Sequence, residues 1–205
     1  MGISKYIALL LILYATSIYV FSQNLPHKAR MDSMWNKLTD TTFLSLLEQN
    51  NLKLEYDDSF YVVPVKKNYD IFYQYALACC KDSFEVRFLF NKIDVQQYQD
   101  NNINLDDFCY SLMNITAMNA SGANFANLPL IEITAKNNKS NDLNIVWEAK
   151  SKFNPKTDFG KDYVFCYLYS RRLKDGIILF YFLLFTDYDK QKHLEKKSLQ
   201  FIKNK

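Results

Sequence analysis

Cys79, Cys80, Cys109 and Cys166 are the residues of this chain best equipped for nucleophilic chemistry. His193 is the base that Cys109 or Cys166 would need to act as a nucleophile. The thiolate is the reactive form, and each of these cysteines falls in an apolar helix-like or strand-like run, where burial raises the thiol pKa. Core packing therefore outweighs catalysis. Cys79 and Cys80 are adjacent in an extended run, so their side chains point to opposite faces and do not make a matched pair toward one partner. Two readings of the cysteines follow: small buried residues with free thiols, or a single disulfide with Cys166 as one half. Zinc requires Cys and His ligands at a spacing such as C-x-x-C, and that spacing does not occur. Neither a metal nor a cofactor is expected.

Two stretches have the beginnings of a calcium loop. Asp100, Asn102 and Asn104 occupy the first odd positions, but Leu105 replaces the glycine and Ser111 the bidentate glutamate. Asp187, Asp189 and Gln191 fail in the same way, with Lys192 and Ser198 in those places. Both read as turn and capping chemistry. No P-loop, dinucleotide fingerprint, G-x-S-x-G elbow or H-E-x-x-H is present, so the common nucleotide, serine-hydrolase and zincin chemistries lack their motifs. Arg171-Arg172 reads either as a contact for an anionic partner or as a solvated strand end. Asn114-Ile115-Thr116, Asn119-Ala120-Ser121 and Asn138-Lys139-Ser140 match the glycosylation pattern, which matters only in a eukaryotic secretory host. One loop suggests recognition. Ser151 to Lys161 carries Phe153 and Phe159 with Trp147 just before it, and exposed aromatics beside a rigid sheet suit a partner-binding loop. The competing reading tucks the same rings under the loop as a small core.

The elements that would position these residues follow from periodicity. Met31 to Gln49 has loosely helical spacing, interrupted around Thr39 to Thr42. Leu52 to Tyr56 and Phe60 to Lys66 read as a hairpin joined by Asp57-Asp58-Ser59. Asp70 to Cys80 and Ser83 to Lys92 read as a second hairpin around Lys81-Asp82. In its second strand Phe84, Val86, Phe88 and Phe90 alternate with Glu85, Arg87 and Asn91, which predicts one buried and one mostly polar face. Asn91 to Asn104 is a polar connection. Leu105 to Ala120 is a helix capped by Asn104, with Asp106 and Asp107 at its positive end and Phe108, Leu112, Ile115 and Met118 as its stripe. Leu128 to Thr134 is a short extended piece, and Asn141 to Lys150 a short helix containing Trp147. Asp162 to Leu173 and Ile177 to Phe185 form a last hairpin through Lys174-Asp175-Gly176. Ile177 to Phe185 is apolar on both faces, so it must be central and covered on both sides. Asp187 to Lys203 closes the chain as a helix with Leu194 and Phe201 or Ile202 inward. The fold class is therefore α+β: an antiparallel sheet of about six strands built from hairpins, flanked by helices on both faces.

Lys5 is followed by an uncharged apolar run from Tyr6 to Phe21, then Ser22-Gln23. That is the pattern of a secretory signal peptide, with Val20 and Ser22 at the −3 and −1 positions of a cut before Gln23. The competing reading is an uncleaved anchor. Gln23, Asn24 and Pro26 are poor membrane residues and argue for cleavage. Residues 1–22 then form the leader and 23–205 a single domain. The net charge of +3 falls to +2 without Lys5, and the pI of about 8.5 comes from charges of both signs spread along the chain. A nucleic-acid binder would carry a concentrated basic face, so no nucleic acid is expected as partner.

Phe159-Gly160-Lys161-Asp162-Tyr163, leading into the Cys166-Tyr167 strand and the Lys174-Asp175-Gly176 turn, resembles the PsbP-like α/β/α sandwich superfamily, which includes exported bacterial proteins. The likeness covers most of Leu52 to Lys203. It implies the same layered fold and, since members mostly bind or stabilise other proteins, a non-enzymatic accessory role. It carries over no functional residue. The expected protein is exported to the periplasm or the extracellular space, with another envelope or secreted protein as partner and the membrane involved only if the leader is retained. The alternatives are a hydrolase-like enzyme with a site assembled from distant residues and a membrane-tethered subunit. Mass spectrometry of the native protein is expected to find Gln23 as its first residue; an intact Met1 to Ser22 would establish the tethered form instead.

Overall fold

Alternation of apolar and polar residues, read against the strand pairing, explains most of the architecture. The computed structural model describes residues 40–66, 71–79, 83–124, 126–138, 143–187 and 199–203, all within one unit, Leu38–Lys205. The expected leader, the chain before Asp40, Cys80 with the Lys81-Asp82 turn, and 188–198 with His193 and Leu194 lie outside the described residues. The elements are α1 (Asp40–Gln49), β1 (Leu52–Tyr56), β2 (Phe60–Val62), β3 (Tyr75–Cys79), β4 (Phe84–Lys92), α2 (Val95–Asp100), α3 (Leu105–Ser121), β5 (Ile131–Asn138), β6 (Ile145–Phe153), α4 (Thr157–Gly160), β7 (Phe165–Leu173), β8 (Ile177–Phe185) and β9 (Leu199–Lys203). Seven strands form an antiparallel sheet in the order β2-β3-β4-β8-β7-β6-β5, and β1 pairs with β9 in a separate two-stranded sheet.

The predicted α+β class holds, with seven strands in the main sheet where about six were expected. β8 lies at its centre, paired with β4 from Phe84↔Phe185 to Lys92↔Ile177 and with β7 from Phe165↔Phe185 to Arg172↔Ile178. Its residues are buried on both faces apart from the half-buried Leu183. On one face, α1 and the two-stranded sheet cover the core. Phe43 stacks on Tyr75 at 5.1 Å and packs on Phe88 at 5.7 Å, and Phe201 of β9 meets Phe88 edge-on at 5.8 Å. On the other face, α3 lies over β5, β6 and β7, and its C-terminal end is tied down by Lys156 N–H donating to the Ala120 carbonyl at 2.8 Å.

The Asp175-Gly176 turn forms the predicted hairpin. Gly176 has φ +85°, and a Cβ there would stand 2.5 Å from the Ile93 carbonyl oxygen, so only glycine fits. The β3–β4 hairpin is also as expected, with Tyr75↔Phe88 and Cys79↔Phe84 in register.

Five expectations are corrected. β1 and β2 are not a hairpin, because β1 pairs with β9 and β2 with β3. The Asp57 carboxylate accepts from Ser59 N–H at 2.9 Å, an Asx turn that makes a corner between the two sheets. Leu199 to Lys203 is a strand rather than a helix, since β1 offers an edge and Phe201 then faces the core. Trp147 lies in a strand as well. Ile145, Trp147, Ala149, Ser151 and Phe153 are buried in strict alternation, a period of two that excludes the helix read over Asn141 to Lys150. The polar connection after β4 contains α2, whose Asp94 cap accepts from Gln96 N–H at 3.0 Å and Gln97 N–H at 3.3 Å. Finally, α3 is turned by one residue: Cys109, Met113, Thr116, Ala117 and Ala120 are buried, while Phe108, Leu112, Ile115 and Met118 are only half-buried. The small side chains of Ala117 and Ala120 permit close approach to the sheet, and Phe108 packs instead on Tyr98 of α2 at 4.8 Å.

Phe88 touches α1, β3 and β9 at once. Phe88→Ala is expected to destabilise the domain by about 3–5 kcal/mol, as deletions of core aromatics do. An unchanged urea-denaturation midpoint would contradict this packing.

Candidate functional site

The three aromatic residues proposed for a partner-binding loop are placed in the interior. Trp147 is 0% exposed, Phe153 7% and Phe159 1%. Trp147 and Phe153 lie on the α3 side of β6, opposite Arg172 and Cys166 of β7. Phe159, on the short α4 turn, meets Phe182 at 4.9 Å and Tyr73 at 6.5 Å. They form no exposed aromatic loop; the structure matches the competing reading, rings tucked inward. The strand period around Trp147 was the signal that separates the two.

Phe159 leads to a buried charge. Glu85 and Arg87 were expected on a mostly polar strand face, yet they are 4% and 2% exposed. Residues i and i+2 of a strand share a face. Arg87 Nε donates to Glu85 Oε1 at 2.5 Å, and Arg87 Nη1 donates to the Phe159 carbonyl. The guanidinium lies between the rings of Tyr73, 4.9 Å away, and Phe159, 4.7 Å away. Tyr163 O–H donates to the other carboxylate oxygen at 3.0 Å. Phe159 to Tyr163 is thus fastened to β4 by one charged group and its partners. Both carboxylate oxygens are engaged and the pair is sealed from solvent, so this arrangement positions a segment and presents no reactive atom.

The described cysteines are equally enclosed. Cys79, Cys109 and Cys166 are buried, Cys109 and Cys166 as free thiols. Burial pushes the Cys109 thiol up to about 12 despite the neighbouring Arg172 guanidinium, and burial raises Cys166 as well, against an opposing effect of Arg87. Thiols held protonated in this way are poor nucleophiles. His193, the base the cysteine mechanism needs, lies outside the described residues.

Arg171 and Arg172 point to opposite faces, and each meets an acid of its own chain. Arg172 Nη2 donates to Asp106 Oδ1 of α3 at 2.6 Å. Arg171 pairs with Glu148 and lies 5.3 Å from the centre of the Tyr181 ring. Asn104, proposed as the helix cap, accepts from Asp106 N–H at 2.9 Å and Asp107 N–H at 3.3 Å, so the calcium-like run is turn and capping chemistry as read. Among the described residues no group of three or more His, Cys, Asp or Glu side chains is arranged to hold a metal ion. Among the described residues, depressions beside Lys92 to Gln96 with Lys174-Asp175 and beside Lys53 to Asp57 are open to solvent. No helix among the described residues is long and apolar enough to cross a membrane.

One surface remains, which sequence reasoning missed. On the face of β5–β7 turned away from α3, Tyr167, Tyr169 and Lys150 are half-buried and Lys152 is exposed. Tyr169 stacks on Tyr181 at 5.7 Å with an 18° angle between rings. Burial raises both phenols above the ordinary tyrosine value. The Lys152 ammonium sits 4.7 Å from the Phe165 ring and 5.9 Å from the Tyr167 ring. Lys150 bridges to Glu132 at 3.0 Å, and Thr134 Oγ1 donates to Glu148 at 3.1 Å. The result is a row of half-buried tyrosines, packed on their inner side against the core, interleaved with charges of both signs. Its signal in the sequence was the shared period of two in Lys150/Lys152 and Tyr167/Tyr169, which shows only once β6 is recognised as a strand.

The buried pair gives a direct test. Glu85→Gln leaves Arg87 charged and without its carboxylate, and is expected to cost about 3–5 kcal/mol in urea denaturation. The double change Glu85→Leu with Arg87→Met is expected to cost less than that single change. Free tolerance of Glu85→Gln would mean that the pair does not hold Phe159 to Tyr163.

No protein-family model matches the chain, and no curated protein matches it. Among solved structures, the chain is similar to the solution structure of cyanobacterial PsbP (CyanoP) from Synechocystis sp. PCC 6803, with 11% identity over 71% of this chain and 85% of that chain and a TM-score of 0.39. The likeness is distant and concerns the fold alone.

Proposed function

We propose that this chain is an exported, non-enzymatic domain that binds or stabilises another protein of the envelope or the secreted space. The observation that carries this reading is the face of β5–β7 bearing Tyr167 and Tyr169. Tyrosine offers a large amphipathic contact at small entropic expense, and here both rings are already held by neighbours, Tyr169 against Tyr181 and Tyr167 against Phe165. The cations on this face are largely offset by acids, Lys150 by Glu132 and Arg171 by Glu148. Such a surface suits a partner of mixed charge better than a polyanion. Among the residues most able to support the enzymatic alternative, Cys109 and Cys166 are buried and burial raises both thiols.

The resemblance of Phe159 to Tyr163 and the strands after it to PsbP-like proteins points to the same class of role. The test is parallel affinity capture from the native envelope fraction with the wild-type domain and a Tyr167→Ala/Tyr169→Ala variant, the latter first shown to be folded by its thermal transition. A specific protein retained by the wild type and reduced at least about tenfold with the variant is expected. Recovery of the same proteins by both, or of none by either in repeated captures, would defeat the proposal.

A further inference from the structure

The tyrosine face of β5–β7 carries hydrogen-bond donors that the protein itself leaves unused. Tyr169 and Tyr181 stand directly opposite one another in the β7–β8 pairing, and Arg171 follows Tyr169 by two residues on the same face. The two rings are 5.7 Å apart and nearly parallel, and the Arg171 guanidinium carbon lies 5.3 Å from the centre of the Tyr181 ring. Tyr181 is 9% exposed, and its Oη is buried without a hydrogen-bond partner. Burial raises this phenol, the Arg171 guanidinium opposes the rise, and Glu148 and Tyr169 add to it, so these heads bear on one another. Arg171 donates from Nε to Glu148, whose other oxygen accepts from Thr134 Oγ1 at 3.1 Å. Among the described residues, no acceptor meets the two terminal nitrogens of Arg171 or the Tyr169 hydroxyl.

Guanidinium N–H groups only donate, and a phenol O–H is an available donor at neutral pH. The cluster is therefore short of acceptors, and the group that completes it must bring oxygen lone pairs. Charge narrows the choice further. Lys150, Lys152 and Arg171 share this face with only two acids, Glu132 and Glu148. Lys150 bridges to Glu132 and Arg171 to Glu148, which leaves Lys152 without an acidic partner among the described residues. One negative charge balances such a face, whereas a doubly charged phosphate would be set against Glu148 beside Arg171. A carboxylate also matches the planar guanidinium, which offers parallel N–H bonds to its two oxygens. Glu148 occupies only the Nε side of Arg171, and the side chain is 27% exposed, so its outer edge is open to an incoming group.

We infer that Arg171, Tyr169 and Tyr181 form a site for one carboxylate, the side chain of an aspartate or glutamate on the protein that docks at this face. This rests on the reading of the face as a protein-binding surface. The carboxylate accepts from the terminal nitrogens of Arg171 and from the Tyr169 hydroxyl, and it supplies the acceptor that Tyr181 Oη lacks. The site thereby discriminates. An acidic side chain is taken, and its amide counterpart, with one oxygen replaced by a donor and no charge, is refused.

Three measurements test this. Sodium acetate, titrated against chloride at constant ionic strength into the isotope-labelled full chain, is expected to shift the Arg171 Nε–H resonance saturably. Arg171→Lys identifies that resonance by its loss, and acetamide is expected to leave it in place. Tyr181→Phe is expected to weaken the acetate affinity about tenfold, the effect of one hydrogen bond to a charged group. No saturable shift with acetate, or an equal one with acetamide, would overturn the proposal. Tyr181→Phe is also expected to keep or raise the thermal midpoint, because the hydroxyl it removes has no partner in the free chain. A lowered midpoint would show that the protein already satisfies this hydroxyl, and the site would be lost. In the envelope capture, Tyr181→Phe is expected to reduce the retained protein about tenfold. Retention that falls with Tyr167→Ala/Tyr169→Ala but not with Tyr181→Phe would leave the protein-binding reading standing and refute the carboxylate site. The acetate titration needs no partner, so its outcome is independent of the capture.

Discussion

Ile177 to Phe185 is a strand with no polar side, and water must be kept from both of its faces at once. A single layer cannot do that. β4 and β7 protect its backbone edges, and their own inward residues extend its two apolar surfaces sideways. One surface then recruits α1 and the β1–β9 pair, the other recruits α3 and the α4 turn. At roughly 25 cal/mol per Å² of apolar area, closure of these two layers is the dominant favourable contribution to folding. The ring packing of Phe43, Tyr75, Phe88 and Phe201 is the first layer's expression of it.

The second layer contains the less comfortable chemistry. Arg87 and Glu85 are enclosed there, and a buried ion pair gains little over an apolar replacement of equal volume. What it supplies is position. A guanidinium held by a carboxylate, a backbone carbonyl and two aromatic rings accepts few alternative geometries, so the chain from Phe159 to Tyr163 has one place to lie. The same layer keeps Cys109 and Cys166 from water and so from ionisation. Chemistry that looked available in the residue list is suppressed by the surroundings of those residues.

What was legible in the sequence followed from strong local patterns. The Asp-Gly turn between long apolar runs specified the β7–β8 hairpin, and a strand apolar on both sides specified its central position. Asn104 before two aspartates marked the start of α3. Less was legible where the local pattern was weak or shared. Asn141 to Lys150 has mixed composition, and only burial on alternate residues reveals it as strand. Phe108, Leu112, Ile115 and Met118 form as good a stripe as Cys109, Met113 and Ala117. The choice between them depends on how closely α3 can approach the sheet. The tyrosine face escaped notice because it joins residues of three strands, one of which was read as a helix.

The sequence by itself determined the class of fold, the two long hairpins and the need for a layer on each side of the sheet, because turn chemistry and hydrophobic period act over a few residues. Tertiary structure alone decided that Leu52 to Tyr56 pairs with Leu199 to Lys203, that Trp147, Phe153 and Phe159 face inward, and that Glu85 and Arg87 are sealed together. Those outcomes depend on which edges and faces meet after the chain has folded back on itself. A strand's partner and a charge's neighbours come from distant segments, and no local pattern encodes their distance.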